Sequence, residues 1–308
     1  MKALTATADE RLLTLAEVPG PVPAAHEAVI EVEAFSINRG DYFALTGVYG
    51  TDPIPGHIPG QDIAGRIIAA AADGTGPAVG TRVVAHASGG GWAQRAAVPT
   101  TAIAQLPEHL SATAAATLPL AGLTALRLLR RAGDLTGKRL LVTGASGGVG
   151  HLVVELAIAA GATVTAVTAT LERGQRLAGY GAHVITEIDS TTAQFDVIME
   201  SVGGDTFTAA LAHLVPGGTV IWFGQASRQP IRLDFFDLFG ATPFTLHHFP
   251  HWVSDTTDAE DLTELVRLAA TGVIHPELGR TADWLETTTV LEDLVNRRIR
   301  GNAALTLA

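Results

Sequence analysis

Two patterns of apolar and polar positions divide the chain. Up to about residue 110, short apolar runs lie between turns rich in proline and glycine, such as 53–60, and this is typical of β-strands. From Ser111 onward, continuous apolar strands alternate with helical segments, including a strand at 140–143 and a helix at 148–160. This alternation predicts a parallel sheet covered by helices on both faces. After residue 258, two amphipathic helices precede a last short strand at 303–307.

Composition limits the class of protein. The chain has 308 residues, of which 47% are hydrophobic, so two domains with substantial cores are expected. A net charge of −11 disfavours nucleic acid as a partner, because an acidic surface repels phosphate backbones. The absence of cysteine excludes disulfides and thiolate metal sites. No stretch reads as a signal peptide or a membrane span, so we expect a soluble, cytoplasmic protein.

A glycine-rich loop carries the main chemical signal. The strand at 140–143 runs into Gly-Ala-Ser-Gly-Gly-Val-Gly at 144–150, and a helix follows. Glycines let a pyrophosphate approach the backbone, and the helix N-terminus supplies free N–H groups and partial positive charge. Ala145 departs from the usual first glycine, and an ordinary glycine-rich turn is the alternative. We expect the phosphates to contact Ser146, Gly147, Gly148 and Val149.

The second strand of this region indicates which dinucleotide is bound. Sites for NAD usually place a carboxylate at its end, where it binds the ribose hydroxyls. Here the strand ends at Thr168, and the first carboxylate is Glu172, followed by Arg173 and Arg176. A hydroxyl and two guanidinium groups favour a 2′-phosphate, so Thr168 and Arg173 predict NADPH. The alternative is that both arginines are solvated helix charges.

Eight short motifs follow one another along nearly the whole chain. They are 37–41 (INRGD), 47–49 (GVY), 59–65 (PGQDIAG), 79–83 (VGTRV), 91–94 (GWAQ), 118–125 (LPLAGLTA), 144–150 (GASGGVG) and 201–204 (SVGG). In this order the chain resembles the zinc-independent quinone oxidoreductase (zeta-crystallin-like) branch of the medium-chain dehydrogenase/reductase superfamily.

The resemblance implies an α/β architecture of two domains. A discontinuous GroES-like β-barrel catalytic domain would contain residues 1–117 and 258–308. A Rossmann domain with a doubly wound parallel sheet would contain residues 118–257 and bind NADPH, with the active site in the cleft between the domains. The resemblance also implies a homodimer formed edge to edge by the cofactor domains, through the strand at 219–223 or the segment after it.

The resemblance further implies chemistry without zinc. Zinc-dependent members have Gly-His-Glu where this chain has Gly60-Gln61-Asp62, and they also use a cysteine ligand. Zinc polarises an alcohol or carbonyl oxygen. Without it, the expected reaction is hydride transfer from NADPH to a quinone or an α,β-unsaturated carbonyl compound, which is already electrophilic. Many quinone reductases cover the adenosine with a tyrosine, and this chain has 186–188 (TEI) there.

The site residues carried over by the resemblance fall into two groups. Tyr49 is expected to contact the substrate and to donate a proton, or only to pack against it, and Asn38 is expected beside the nicotinamide. The remaining residues would line the cofactor: Thr124, Ser201, Val202, Phe223, Gly224, Gln225 and Asn302.

Other interpretations stay open at this point. The chain could be a stand-alone enoyl reductase of a biosynthetic pathway, or a non-catalytic NADPH-binding sensor. The cluster His247, His248 and His251 has the composition of a metal site, but Pro250 disfavours a regular helix there. Loop or rim histidines are the expected interpretation, and no metal is expected.

Overall fold

The structure is a computed structural model that describes residues 1–236 and 243–307. The chain separates into two compact units, Met1–Leu123 with Asp255–Ala308, and Thr124–Ser254. Among the described residues, no helix is both long enough and apolar enough to cross a membrane.

The regular elements of the described residues are as follows. The strands are β1 (Lys2–Ala6), β2 (Leu13–Glu17), β3 (Glu27–Ile37), β4 (Asp62–Ala69), β5 (Arg82–His86), β6 (Arg95–Pro99), β7 (Ile103–Gln105), β8 (Arg139–Val142), β9 (Thr163–Val167), β10 (His183–Ile185), β11 (Phe195–Glu200), β12 (Leu214–Trp222), β13 (Thr245–His248), β14 (Leu278–Asp283) and β15 (Asn302–Thr306). The helices are α1 (Arg39–Leu45), α2 (Ala112–Ala115), α3 (Pro119–Ala132), α4 (Gly148–Ala159), α5 (Leu171–Gly179), α6 (Gly204–Ala212), α7 (Asp258–Ala270) and α8 (Thr287–Val295).

The first unit is organised around the long strand β3. This strand pairs antiparallel with β15, β4 and β6, within a sheet of order β14-β15-β3-β4-β5-β7. Its apolar side chains enter one core, where the rings of Phe35 and Trp92 stack with their centroids 5.6 Å apart. Gly60 has a φ of +98°, and a Cβ at this position would lie 2.2 Å from the Trp92 ring. Only glycine allows the chain to turn so close to that ring.

The second unit contains a six-stranded sheet in which every pair is parallel. The strand order is β10-β9-β8-β11-β12-β13, so the order reverses between β8 and β11. In such doubly wound sheets the ligand binds at the carboxyl ends of the strands, near the point of reversal. The predicted Rossmann-type parallel sheet is confirmed, and the glycine-rich loop follows β8 at that edge.

The sheet order corrects one expectation about its edge. Residues 219–223 were expected at an edge available for dimer formation, but 219–222 belong to β12, which lies between β11 and β13. Because β13 occupies the outer position, the edge strand on this side belongs to the segment after residue 223. That segment is the second of the two locations that the sequence predicts for the dimer contact. Residues 237–242, which precede β13, lie outside the described residues.

Candidate cofactor and substrate site

The glycine-rich loop is held in place by backbone contacts. Gly144 has a φ of +60°, and the Ala145 N–H donates to the Val167 carbonyl at 3.1 Å. A Cβ at Gly150 would lie 2.5 Å from the Gly144 oxygen and 2.7 Å from the Ala145 Cα. Helix α4 therefore packs on the loop at a distance that only glycine permits. The Ala145 methyl group is fully buried, so this departure from the usual glycine fits the fold.

The N-terminus of α4 is suited to bind an anion. Gly147 is the N-cap residue and offers no side chain to the first turn. The first N–H groups of a helix have no intrahelical partner, so they are available to a phosphate. This cradle, which a side chain at Gly150 would disrupt, fits the pyrophosphate of a dinucleotide.

His151 supports the loop from inside the protein, a role that the sequence analysis missed. Its ring is fully buried, and Nδ1 donates to the Gly147 carbonyl at 3.0 Å. Burial lowers the pKa of His151 to about 4, so the imidazole is neutral at physiological pH. A histidine within an apolar helical segment gave no sequence signal of this contact.

The residues predicted to select NADPH are brought together. Thr170 is the N-cap residue of α5, and its hydroxyl accepts from the Arg173 N–H at 3.3 Å. The Nε of Arg173 donates to the Ser146 hydroxyl at 3.2 Å, joining α5 to the glycine-rich loop. Thr168 is buried, and its hydroxyl donates to the Thr170 carbonyl at 2.8 Å. The hydroxyl proton of Thr168 is therefore directed into the protein. The Arg173 guanidinium has N–H groups in addition to the Nε–H that bonds to Ser146.

A cavity lies at the carboxyl ends of the neighbouring strands. It has a volume of about 260 Å³ and is lined by residues that include Val167, Glu187, Ile188 and Asp205. Part of this lining is formed by residues 186–188, which stand where many quinone reductases have a tyrosine over the adenosine. Among the described residues, the lining of this cavity contains two carboxylates, those of Glu187 and Asp205, and no tyrosine.

Glu200 organises the loop that follows β11. Its buried carboxylate accepts from the Thr143 hydroxyl at 3.1 Å, the Val202 N–H at 2.8 Å and the Gly203 N–H at 3.0 Å. Burial raises the pKa of Glu200, and these donors oppose that effect. The Ser201 N–H donates to the Thr143 hydroxyl at 2.9 Å. Two predicted residues, Ser201 and Val202, are thus anchored beside the end of β8 by a carboxylate that sequence reasoning missed.

The segment after β12 packs on the same loop. The Phe223 N–H donates to the Glu200 carbonyl at 2.9 Å. A Cβ at Gly224 would lie 3.1 Å from the Ser201 oxygen. Gln225 continues this turn, and its side chain lies near Gly203, where a Cβ would meet it at 2.8 Å. Phe223, Gly224 and Gln225 therefore lie at the same sheet edge as Ser201 and the glycine-rich loop, and Thr124 is buried on α3.

In the first unit, Asn38 is fixed by two carboxylates. Its Nδ2 donates to Asp62 at 2.7 Å, and its backbone N–H donates to Asp41 at 2.7 Å. Asp62 and Asp41 are both buried. Asn38 is the N-cap residue of α1, so its side chain lies where the strand β3 passes into that helix.

Tyr49 lies near the same helix. Its side chain is 63% exposed, and a Cβ at Gly40 would lie 3.3 Å from its hydroxyl. Its ring meets Phe43 edge to face at 5.8 Å. Partial burial and the charge of Asp41 raise the pKa of Tyr49. The phenol therefore keeps its proton at neutral pH.

Asn302 presents a buried donor without an acceptor. Its side chain is 3% exposed, and its backbone N–H donates to the Glu277 carbonyl at 2.8 Å. Within the described parts of the chain, its Nδ2 has no hydrogen-bond partner. A buried unsatisfied donor costs about 1–3 kcal/mol. A bound carboxamide oxygen would satisfy it, so Asn302 fits the predicted cofactor role.

The histidine cluster does not converge. His247 and His248 are adjacent on β13, so their side chains point to opposite faces of the sheet. His247 Nδ1 lies 3.0 Å from Arg131, whereas the His248 ring packs against Trp222 at 5.7 Å. No group of three or more His, Asp or Glu side chains that could hold a metal occurs in residues 1–236 and 243–307.

Asp41 makes stability depend on pH with a defined sign. Burial, and then the Asp62 charge, raise its pKa from 3.8 to about 7 in the folded state. The stabilisation of the neutral acid is complete below the unfolded value and is lost as the pH rises through 7. We expect Asp41→Asn, which keeps an oxygen acceptor, to gain about 1–3 kcal/mol of unfolding free energy relative to wild type between about pH 5 and about pH 8.

Urea unfolding of both proteins at the two pH values measures this difference. His151 acts in the opposite sense, because its lowered pKa gives stability that is lost as the pH falls through about 4. That contribution is common to both proteins and cancels in the comparison. Parallel pH dependence of wild type and Asp41→Asn would contradict the prediction.

Comparison with known proteins identifies the domains of the chain. Residues 24–108 match the alcohol dehydrogenase GroES-like domain, and residues 148–271 match the family described as zinc-binding dehydrogenase. The quinone oxidoreductase of Pongo abelii is 31% identical over 73% of this chain and 72% of that protein. The acryloyl-coenzyme A reductase of Sulfurisphaera tokodaii is 27% identical over 91% of this chain and 92% of that protein.

A solved structure gives the same result. Escherichia coli quinone oxidoreductase complexed with NADPH matches with a TM-score of 0.89 and 25% identity, over 99% of this chain and 100% of that chain. The GroES-like and Rossmann folds predicted from the sequence are thereby confirmed. The chain belongs to the zinc-independent quinone oxidoreductase branch of the medium-chain dehydrogenase/reductase superfamily.

Proposed function

We propose that the protein is an NADPH-dependent reductase that transfers hydride to a quinone or an α,β-unsaturated carbonyl compound without zinc. The observation that carries this proposal is the bond from Arg173 to Ser146, which places a guanidinium beside a phosphate-binding loop. The parallel sheet and the uncapped N-terminus of α4 support it. The NADPH complex of the Escherichia coli relative is consistent with the same cofactor.

The residues of the chain have separate tasks in this reaction. The amides of the glycine-rich loop hold the pyrophosphate, Arg173 binds the 2′-phosphate, and Asn38 and Asn302 orient the nicotinamide carboxamide. Bound NADPH supplies the hydride. Tyr49 contacts the substrate oxygen or donates the proton that completes the reduction of an activated C=C bond. Orientation and exclusion of water are the main contributions of the protein.

Tyr49→Phe tests the proton donor. With an enone such as 2-hexenal, we expect kcat to fall about 10- to 100-fold, because the carbon protonation step loses its acid. With 1,4-benzoquinone we expect a change of less than about threefold, because the hydroquinone oxygens exchange protons with water. Steady-state oxidation of NADPH measures both.

Tyr42→Phe is the matched control, because Tyr42 also packs near Phe43, at 6.4 Å. It removes the same hydroxyl from a neighbouring ring. If Tyr49→Phe leaves enone reduction at the level of this control, Tyr49 serves only as a packing surface.

A second proposal is a stand-alone enoyl reductase that acts on thioesters. The similarity to an acryloyl-coenzyme A reductase over 91% of this chain favours it. A kcat/KM for acryloyl-coenzyme A above that for 1,4-benzoquinone would select the enoyl reductase. Tight NADPH binding without turnover of either acceptor would indicate a non-catalytic sensor.

A further inference from the structure

Asp62 is a fully buried carboxylate that holds residues from three elements. Its Oδ2 accepts from the Ser36 hydroxyl at 2.8 Å and from the Asn38 Nδ2 at 2.7 Å. Its Oδ1 accepts from the Leu120 N–H at 2.9 Å. These donors belong to the end of β3, the N-cap of α1 and the first turn of α3.

Burial raises the pKa of Asp62, and the nearby His86 and the three donors that converge on its two oxygens oppose that rise. The cross-strand neighbour of Asp62 on β5 is His86. Its Nδ1 lies 2.7 Å from the Asp258 carboxylate, and its Nε2 lies 3.3 Å from the Gln61 Oε1. A proton on each ring nitrogen would satisfy both of these acceptors.

The bond from Asn38 to Asp62 fixes the orientation of the Asn38 carboxamide. A rotation of the amide by half a turn would break this bond and bring Oδ1 against a carboxylate oxygen. Charge-assisted hydrogen bonds are roughly twice as strong as neutral ones. The amide is therefore held in a single orientation by a residue that is itself too deeply buried to touch a ligand.

We propose that Asp62 is the positioning residue of the hydride-transfer site, and that it acts by fixing which polar atom of Asn38 is presented to the nicotinamide. This inference rests on the proposed function, because it assigns Asn38 to the nicotinamide. Beyond the proposed function, the inference assigns Asp62 an effect on hydride transfer that passes through Asn38.

Asp62→Asn changes the orientation with little change in volume. The new amide keeps an oxygen for the Leu120 N–H and turns its NH₂ group towards Asn38. Asn38 then regains a hydrogen bond only by turning its Oδ1 inward, which reverses the groups that it presents. We expect a folded protein whose kcat/KM is lower by about 10- to 100-fold.

The experiment is a double-mutant cycle with Asp62→Asn, Asn38→Ala and the double variant. Because Asp62 acts through Asn38, we expect Asp62→Asn to lower kcat/KM by less than about threefold in the Asn38→Ala background. Binding of adenosine 2′,5′-bisphosphate, which lacks the nicotinamide, should stay within about threefold of wild type in all variants. Glu33→Gln removes a carboxylate from the neighbouring strand β3 and serves as the control, since the only described ion pair of that carboxylate is with an exposed Arg66 at 3.9 Å.

Two results would overturn the inference. One is Asp62→Asn with the activity of wild type, and the other is a full additional loss in the Asn38→Ala background, which would indicate a general structural role. If Asp62→Asn does not fold, the exchange Asn38→Asp with Asp62→Asn restores a donor and an acceptor across the pair. A folded and active exchange variant would contradict positioning. Absence of NADPH binding or turnover by wild type would instead remove the proposed function, and the inference with it.

Discussion

Gly150→Ala is expected to lower the affinity for NADPH about 10- to 100-fold. The added methyl group would lie 2.5 Å from the Gly144 oxygen and 2.7 Å from the Ala145 Cα. Both are backbone atoms of the glycine-rich loop, so no side-chain rotation relieves the clash. Helix α4 and the loop must move apart, which displaces the N–H groups from the phosphates. Titration followed by nicotinamide fluorescence measures the loss.

Gly179→Ala is the matched control for this substitution. Gly179 lies in the last turn of α5, and a Cβ there would meet nothing within 4 Å. Alanine at a helical glycine stabilises by up to about 1 kcal/mol, so this variant should bind NADPH as wild type does. Equal affinity of the Gly150→Ala and Gly179→Ala proteins would show that close packing of α4 on the loop is not needed for binding.

Arg173→Ala is expected to remove the preference for NADPH over NADH. A guanidinium–phosphate bond contributes about 1.5–3 kcal/mol, so NADPH affinity should fall about 10- to 100-fold. NADH lacks the 2′-phosphate, and its affinity should change less than about threefold. Arg173 also bonds to Ser146 in the glycine-rich loop. The dissociation constants of both NADPH and NADH must therefore be measured for the variant and for wild type.

Arg139→Ala provides the control for loss of a guanidinium. Arg139 begins β8 at the amino end, opposite to the glycine-rich loop, and pairs there with Asp196 at 3.1 Å. It should leave both affinities unchanged. A loss of NADPH and NADH affinity together in Arg173→Ala would mean that Arg173 only holds the loop.

The local parts of the structure were predictable from the sequence. The strand and helix around the glycine-rich loop were expected at 140–143 and 148–160, and they occur as Arg139–Val142 and Gly148–Ala159. Each depends on neighbouring residues: an apolar run, a glycine-rich turn and a helical period. For the same reason Ser146 and Arg173 were identified before their contact was known.

The polar network of the first unit was not predictable in this way. Ser36, Asp62 and His86 lie far apart in the sequence and meet through the antiparallel register of β3, β4 and β5, and Asp258 reaches His86 from the start of α7. The hydrophobic pattern of one strand does not show which residues of another strand it will face. Glu200 was missed because an acid at the end of an apolar strand gives no signal of the amides that it binds.

The histidine cluster shows the reverse case. His247 and His248 are adjacent in the sequence, yet the alternation of a strand separates their side chains. Nearness along the chain therefore does not indicate a shared site, and the structure corrects the expected loop, because His247 and His248 lie on β13. The roles of Tyr49 and Asn38 stay predictions, because they depend on a bound cofactor and substrate.

The most direct test of the proposed function is a titration of the purified protein with NADPH and NADH, followed by addition of 1,4-benzoquinone or 2-hexenal. Binding and oxidation are read from nicotinamide fluorescence. We predict that NADPH binds at least about tenfold more tightly than NADH, and that the acceptor oxidises it. Absence of binding by either nucleotide would contradict the assignment of the glycine-rich loop to a dinucleotide, and with it the proposed reaction.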